Sequence, residues 1–107
     1  MTETFYGGLE RPGKLQRVNG PWIILVPSNS HVDFQMRFRW MRRFFGPWRL
    51  ERSVVREVYM SPPRALAPWI KVNLLAEENM PWSFLTQHPY DVLRCLERLG
   101  YPVRKGD

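Results

Sequence analysis

Turn-forming residues recur along the whole of this chain, and they limit the lengths of the elements that it can build. The 107 residues include ten prolines and seven glycines, and both residue types disfavour helix interiors. The segments between them suit short strands better than long helices. The main breakers are Gly7-Gly8, Pro12-Gly13, Asn19-Gly20-Pro21, Pro27–Ser30, Gly46-Pro47, Pro62-Pro63, Glu77–Asn79 and His88-Pro89.

The alternation of apolar and polar residues predicts where the strands lie. It is strict over residues 32–40, which puts every second side chain from Val32 to Trp40 on one core face. The apolar run 22–27 predicts a strand buried on both faces, and Asn19-Gly20 predicts a hairpin turn before it. The period changes within 48–60, which indicates a bulge or a turn near Ser53. The other predicted strands are 14–18, 69–76 and 81–86, the last two joined at Glu77–Asn79.

The C-terminal segment has a different pattern, which predicts one amphipathic helix over about 89–99. Apolar residues recur there at helical spacing, from Val92 to Leu99. Pro89 suits the first helical position, and Gly100 suits the position that ends a helix. The histidine before the helix, His88, is expected to be its cap.

These elements together predict a mainly β or α+β fold. We expect an antiparallel roll or partly open barrel of six to seven strands, capped by the one C-terminal helix. The length predicts a single domain, over residues 14–104. An N-terminal arm, 1–13, precedes it, and a short tail, 105–107, follows it.

Two segments resemble the pleckstrin-homology-like (PH-like) domains of bacteria. "WRLERSVVREVYM", 48–60, is similar to a recurrent pattern of an aromatic residue, a leucine and spaced valines before a loop. "WSFLTQHPYDVLRCLERLG", 82–100, is similar to the closing strand, polar turn and capping helix of that family. The length and the arginine-rich composition are also similar to those of small actinobacterial or phage proteins.

The resemblance implies a PH-like roll that binds phosphoinositides, peptides or other proteins, without a common chemistry. Lipid-binding members use basic residues in the loop between their first two strands. The corresponding loop predicted here, Asn19-Gly20-Pro21, has no basic residue. The resemblance therefore favours a protein partner over a phosphoinositide.

Composition is typical of an intracellular protein, and its positive charge permits binding to nucleic acid, acidic lipid headgroups or an acidic protein patch. The net charge is +6 and the sequence has a single cysteine, Cys95, which fits a reducing compartment. No apolar run reaches the ~20 residues that span a bilayer, and the N-terminus lacks the pattern of a signal peptide. We expect a cytoplasmic protein, in which a peripheral membrane location is an alternative.

Residues with catalytic or metal-binding chemistry are few. His31 and His88 both adjoin turns, and no cluster has the spacing of metal ligands. Cys95 lies at the edge of the apolar stripe of the helix, where it suits core packing. We expect no enzyme activity, no cofactor and no small-molecule substrate.

The stretch "FQMRFRWMRRFFGPWR", 34–49, is the strongest candidate for a binding surface. It holds five of the thirteen arginines among aromatic residues, and arginine binds carboxylates and phosphates bidentately. Two interpretations remain open: a strand as far as Trp40, or a basic amphipathic helix suited to a membrane surface. It is equally open whether these arginines bind a partner at all or only make the exposed face of a strand soluble. The candidate residues are Arg37, Arg39, Arg42, Arg43, Arg49, Phe45 and Trp48.

A second candidate is the proline-rich loop that follows residue 60, with Pro62, Pro63 and Arg64 as its docking residues. The leading hypothesis is a non-enzymatic module that docks a protein partner or assembly, or associates with itself, through the Arg/aromatic surface. The alternatives are peripheral binding to anionic membrane lipids and binding of nucleic acid through the same basic patch.

Overall fold

A computed structural model describes residues 3–11, 17–43, 47–62, 69–76 and 81–104 of the chain. The described residues form seven antiparallel strands and one C-terminal α-helix, which confirms the mainly β, helix-capped fold expected from the sequence. The strands are β1 (Phe5–Glu10), β2 (Arg17–Pro27), β3 (His31–Met36), β4 (Trp48–Glu51), β5 (Glu57–Met60), β6 (Ile70–Leu75) and β7 (Pro81–Thr86), and the helix is α1 (Pro89–Arg98). Short 3-10 helices cover Arg39–Arg43 and Arg52–Val54.

The sheet consists of two meanders, which are joined by the pairing of β1 with β7. Its order is β4-β3-β2-β1-β7-β6-β5, and every neighbouring pair is antiparallel. The break predicted near Ser53 is confirmed, since the 3-10 helix Arg52–Val54 separates β4 from β5. The C-terminal segment covers the outer edge of β5, where Val103 pairs in parallel with Val58.

Strand β1 occupies the middle of the sheet, so the assignment of residues 1–13 to an arm is wrong for Phe5–Glu10. Glycine weakens a strand pattern, and Gly7-Gly8 hid this strand in the sequence. The structure gives a reason for Gly7: a Cβ atom there would lie 2.1 Å from the carbonyl oxygen of Leu85 on β7. The glycine allows the two backbones to approach closely.

The predicted hairpin turn at Asn19-Gly20 is also wrong, because both residues lie inside β2. Val18 pairs with Leu9, so residues 17–18 continue the strand that 22–27 belong to. The register against β1 shifts between Gly7 and Leu9, and Pro21 lies in this irregular stretch, as prolines within sheets do. The connection from β1 therefore begins at Arg11, a basic residue, so the expectation that this connection is Asn19-Gly20-Pro21 and lacks a basic residue is also wrong.

The strand predicted over 32–40 is shorter than expected, because β3 ends at Met36. Val32, Phe34 and Met36 are buried as expected, at 0–1% exposure. Phe38 and Trp40 are exposed, because the chain leaves the sheet after Arg37 and forms the 3-10 helix Arg39–Arg43. The run 22–27 is buried on one face only: Ile23 and Leu25 are in the core, and Ile24 is half-buried.

The core lies between the inner faces of the strands and helix α1. Phe34 is at its centre, stacked on Trp82 at 5.8 Å between ring centroids. Val92 and Leu96 of α1 are fully buried against this core. Burial of such side chains stabilises the fold by about 1.5–3 kcal/mol each.

Helix α1 begins and ends close to the predicted residues. Pro89 is at its start, and His88 occupies the N-cap position as expected, although its side chain makes no capping hydrogen bond. At the other end Gly100 has φ 95°. The N–H of Gly100 donates to the carbonyl oxygen of Glu97, and the N–H of Tyr101 donates to that of Leu96. These two bonds form a Schellman motif.

Candidate functional site

Four of the large hydrophobic side chains exposed in the described residues lie where β3 leaves the sheet or beside that point. They are Tyr6 of β1, Trp22 of β2, and Phe38 and Trp40 after β3. Arginines alternate with the last two in the chain. We call this group the arginine-aromatic surface: Tyr6, Trp22, Arg37, Phe38, Arg39, Trp40 and Arg43.

One part of the surface is a platform of three rings around a guanidinium. The rings of Trp22 and Phe38 are 5.1 Å apart and tilted by 50°. The guanidinium of Arg37 lies 5.2 Å from the centre of the Tyr6 ring and 5.9 Å from that of Phe38. These distances are within the range of cation–π attraction, so Arg37 is held on the platform.

The 3-10 helix Arg39–Arg43 forms the other part of the surface. The Nε–H of Arg42 donates to the carbonyl oxygen of Met36 at 2.9 Å, which ties this turn to the end of β3. Met41 packs against the core. Arg39, Trp40 and Arg43 remain exposed, with Trp40 at 64%.

The electrostatics of the surface are one-sided. No Asp or Glu occurs between Asp33 and Glu51 in the sequence. Arg39 and Arg43 have no ion pair, hydrogen bond or ring contact with the described residues. Their charges are therefore not neutralised by the described part of the fold.

Several basic residues elsewhere in the described part of the chain are paired with carboxylates, whereas the exposed Arg94 of α1 has no ion pair there. Each of three exposed arginines outside the surface has a carboxylate partner, and so does one lysine. The pairs are Arg49–Asp33, Arg98–Glu3, Arg104–Glu57 and Lys71–Glu10. The Asp33 carboxylate raises the pKa of Arg49 further, through a hydrogen bond and its charge.

The structure brings only part of the predicted candidate site together. Arg37, Arg39 and Arg43 belong to the surface, whereas Arg42 anchors the turn. Arg49 lies on β4, where its Nε–H donates to the Asp33 carboxylate at 2.8 Å. Its charge is therefore paired within the fold.

The other five predicted residues fall outside the surface or outside the described residues. Trp48 packs against the core, and the guanidinium of Arg11 lies 5.0 Å from the centre of its ring. Phe45 is not among the described residues. In the proposed docking loop Pro62 is exposed, while Pro63 and Arg64 lie outside the described part.

Sequence reasoning missed the aromatic half of the surface. Phe38 and Trp40 continue the alternation of a core strand, and no Gly or Pro marks its end at Met36. Tyr6 belonged to a strand that the two glycines concealed, and Trp22 was taken as part of a buried run. Only the high density of aromatic residues beside arginines was a signal in the sequence.

Three neighbouring side chains near the β2–β3 turn have the residue types of a hydrolytic triad. Ser30 Oγ lies 2.8 Å from His31 Nδ1, and His31 Nε2 lies 3.4 Å from Asp33 Oδ2. In a working triad the carboxylate stabilises the imidazolium. Here Arg49 binds the same carboxylate at 2.8 Å, so the group lacks that electrostatic arrangement.

The lone thiol, Cys95, is 5% exposed, beside a cleft of about 340 Å³ lined in part by Glu3, Ser28 and Arg98. Burial, followed by the charge of Glu3, raises its pKa, which keeps the thiol protonated and weakly nucleophilic. The predicted packing role of Cys95 agrees with this burial.

Two general properties of the described residues bear on the kind of site. They contain no group of three or more His, Cys, Asp or Glu side chains placed to hold a metal ion. Their helices do not include one that is long and apolar enough to cross a membrane.

Comparisons with models of protein families, with curated proteins and with solved structures gave no match to this chain.

Proposed function

We propose that this protein is a non-enzymatic, PH-like binding module that docks a protein partner through the arginine-aromatic surface. One observation carries the proposal: exposed aromatic rings adjoin arginines that lack ion pairs with the described residues. Trp, Tyr and Arg are the residues most enriched in binding hot spots. The contact between the exposed rings of Trp22 and Phe38 makes part of this surface a contiguous apolar patch, and such patches mark interaction sites more often than single exposed rings do.

The number of available charges favours a protein over the two alternatives. Four exposed arginines carry the positive charge of this region, Arg37, Arg39, Arg42 and Arg43, although aromatic rings hold the first of them and a backbone carbonyl holds the third. Four arginines contribute roughly 4 kcal/mol at an anionic membrane, at about 1 kcal/mol each, which corresponds to an affinity of only about 1 mM. Nucleic-acid binders neutralise more phosphates, about 6–10 in strong complexes. A protein interface needs few charges when aromatic anchors are buried at its centre.

The order of the elements supports the PH-like part of the proposal. Two antiparallel meanders are joined through β1 and β7, and the C-terminal helix packs on the core beside β5 and β6. We also propose a cytoplasmic setting, because Cys95 is a free thiol.

A peptide-display selection on the immobilised full chain tests the function without a known partner. We expect retained peptides whose binding is lost in the Trp40→Ala variant and kept in Tyr90→Ala. Tyr90 is a matched control, because it is 58% exposed on α1, outside the surface. The proposal fails if no peptide is retained, or if Trp40→Ala binds the retained peptides as well as the wild-type chain does.

The alternative partners are measured with the same variants. Vesicles that contain phosphatidylserine and a double-stranded oligonucleotide are each titrated at low salt. Trp40-dependent binding to either one, without peptide binding, would replace the protein partner by a membrane or by nucleic acid. Sedimentation over a range of protein concentrations shows whether the partner is a second copy of the chain.

A further inference from the structure

We infer, on the basis of the proposed function, that the partner presents an acidic linear segment in which an apolar side chain lies between carboxylates. The proposed function requires only a protein partner, and the inference adds the chemistry of the segment. It follows from the charges on the surface, from the order of side chains along the 3-10 helix, and from the platform beside it.

The 3-10 helix that contains Trp40 has a basic residue before this tryptophan and two after it. Side chains three residues apart are nearly eclipsed in a 3-10 helix, so Trp40 and Arg43 are on the same side of the turn. Arg39 and Arg42 form the neighbouring row, and Arg42 is turned to the carbonyl oxygen of Met36. Arg39, which precedes Trp40 in the chain, and Arg43, one 3-10 turn after it, are therefore the exposed arginines of this turn that have no partner among the described residues.

A segment that covers Trp40 has to satisfy these charges. Lowering the exposure of the two guanidiniums without partners would cost free energy. Carboxylates match a guanidinium in shape and accept two hydrogen bonds from it. An apolar group over Trp40 with Asp or Glu on both sides meets each requirement.

The aromatic platform excludes the opposite charge pattern. The guanidinium of Arg37 lies against the rings of Tyr6 and Phe38, so the platform already has a cation on it. A Lys or Arg from a partner would meet a like charge there, whereas an apolar or acidic group would not. The platform and the turn thus select the same kind of segment.

The test uses three labelled peptides and fluorescence anisotropy. One has an aromatic residue between acidic residues, one replaces the acidic residues by Lys, and one replaces the aromatic residue by Ser. The wild-type chain is expected to bind the first and to bind the other two at least about tenfold more weakly.

Protein variants assign the binding to the surface. The double variant Arg39→Glu/Arg43→Glu is expected to lose about tenfold or more for the acidic peptide and to bind the Lys peptide better than the wild-type chain does. Trp40→Ala is expected to lose about thirtyfold, as hot-spot residues do. Arg94→Glu and Tyr90→Ala, both exposed on α1, control for charge and for aromatic surface.

The outcomes separate the inference from the proposed function. If the acidic and Lys peptides bind equally and both depend on Trp40, the surface docks peptides and the inference is overturned. If Arg94→Glu reduces binding as much as the double variant does, the charges of this surface are not specific and the inference is also overturned. If no peptide shows Trp40-dependent binding and the display selection is empty, both the inference and the proposed function fail.

Discussion

Phe34 and Phe38 have the same side chain and the same parity in the alternating stretch, yet the structure gives them different environments. Phe34 is 0% exposed and Phe38 is 37% exposed. Replacement of Phe34 by Ala removes its contacts with Trp82 and Phe84 and leaves a closed cavity. The expected loss in the free energy of unfolding is about 3–5 kcal/mol.

Replacement of Phe38 by Ala has a smaller expected effect. A fully buried aromatic side chain covers about 150–250 Å², of which Phe38, at 37% exposure, covers roughly two thirds. At about 25 cal/mol per Å² the upper limit is about 3 kcal/mol, and partial burial in the unfolded chain lowers it. Water fills the space that is left, so no cavity cost is added. We expect about 1–2 kcal/mol.

Urea denaturation of both variants, followed by circular dichroism, measures the difference. Equal losses for Phe34→Ala and Phe38→Ala would show that the strand continues through Trp40 with both rings in the core. The exposed aromatic half of the arginine-aromatic surface would then not exist.

Three further predictions concern other parts of the fold. Gly7→Ala is expected to cost about 1–3 kcal/mol, because its Cβ would lie 2.1 Å from the Leu85 carbonyl oxygen; a free energy of unfolding within ~0.5 kcal/mol of wild type would contradict the central place of β1. Burial raises the pKa of Tyr101 to about 12, so its unfolded form ionises first and stability falls as the pH rises from its ordinary value of 10.0 through about 12. An ultraviolet titration should show one late tyrosine that Tyr101→Phe removes, and its presence in that variant would refute the assignment. Arg104 lowers the pKa of Glu57 below its ordinary value of 4.5, so this pair adds to the attachment of the C-terminal segment above that pH, and its contribution is lost as the pH falls through the lower value while the backbone pairing with Val58 remains. The amide signal of Arg104 should shift in that acid range, and a Glu57→Gln variant that retains the shift would assign it elsewhere.

The sequence predicts best those elements whose signals are local. Helix α1 has a proline at its start, an apolar stripe and Gly100 at its end, and the structure has the helix within a residue of these marks. The antiparallel pairing of β6 with β7 was likewise expected from the short connection between them. In each case neighbouring residues in the chain determine the structure.

The parts that could not be predicted depend on contacts between distant residues. Gly7 is required by the backbone of β7, about eighty residues away in the chain, and no local pattern shows this. Asn19-Gly20 favours a hairpin turn, but the pairing of Val18 with Leu9 holds both residues inside β2. Local preference is commonly overridden by tertiary pairing of this kind.

The candidate site shows the same limit. Its arginines could be chosen from the sequence, because basic residues among aromatics are a visible pattern. The sequence does not show which of these arginines lack a partner in the folded protein, because that depends on Asp33 beside Arg49 and on the Met36 carbonyl beside Arg42. Alternation also does not show where a strand ends, so Phe38 and Trp40 were assigned to the core.

Mapping of backbone and indole N–H chemical shifts during titration with the acidic aromatic peptide tests the central claim most directly. The claim predicts that the largest changes fall on Tyr6, on Trp22 and on Arg37–Arg43, together with the indole signals of Trp22 and Trp40. The control element is α1, including Tyr90, which should not change. Largest changes on α1, or changes of similar size over the whole chain, would contradict the assignment of binding to the arginine-aromatic surface.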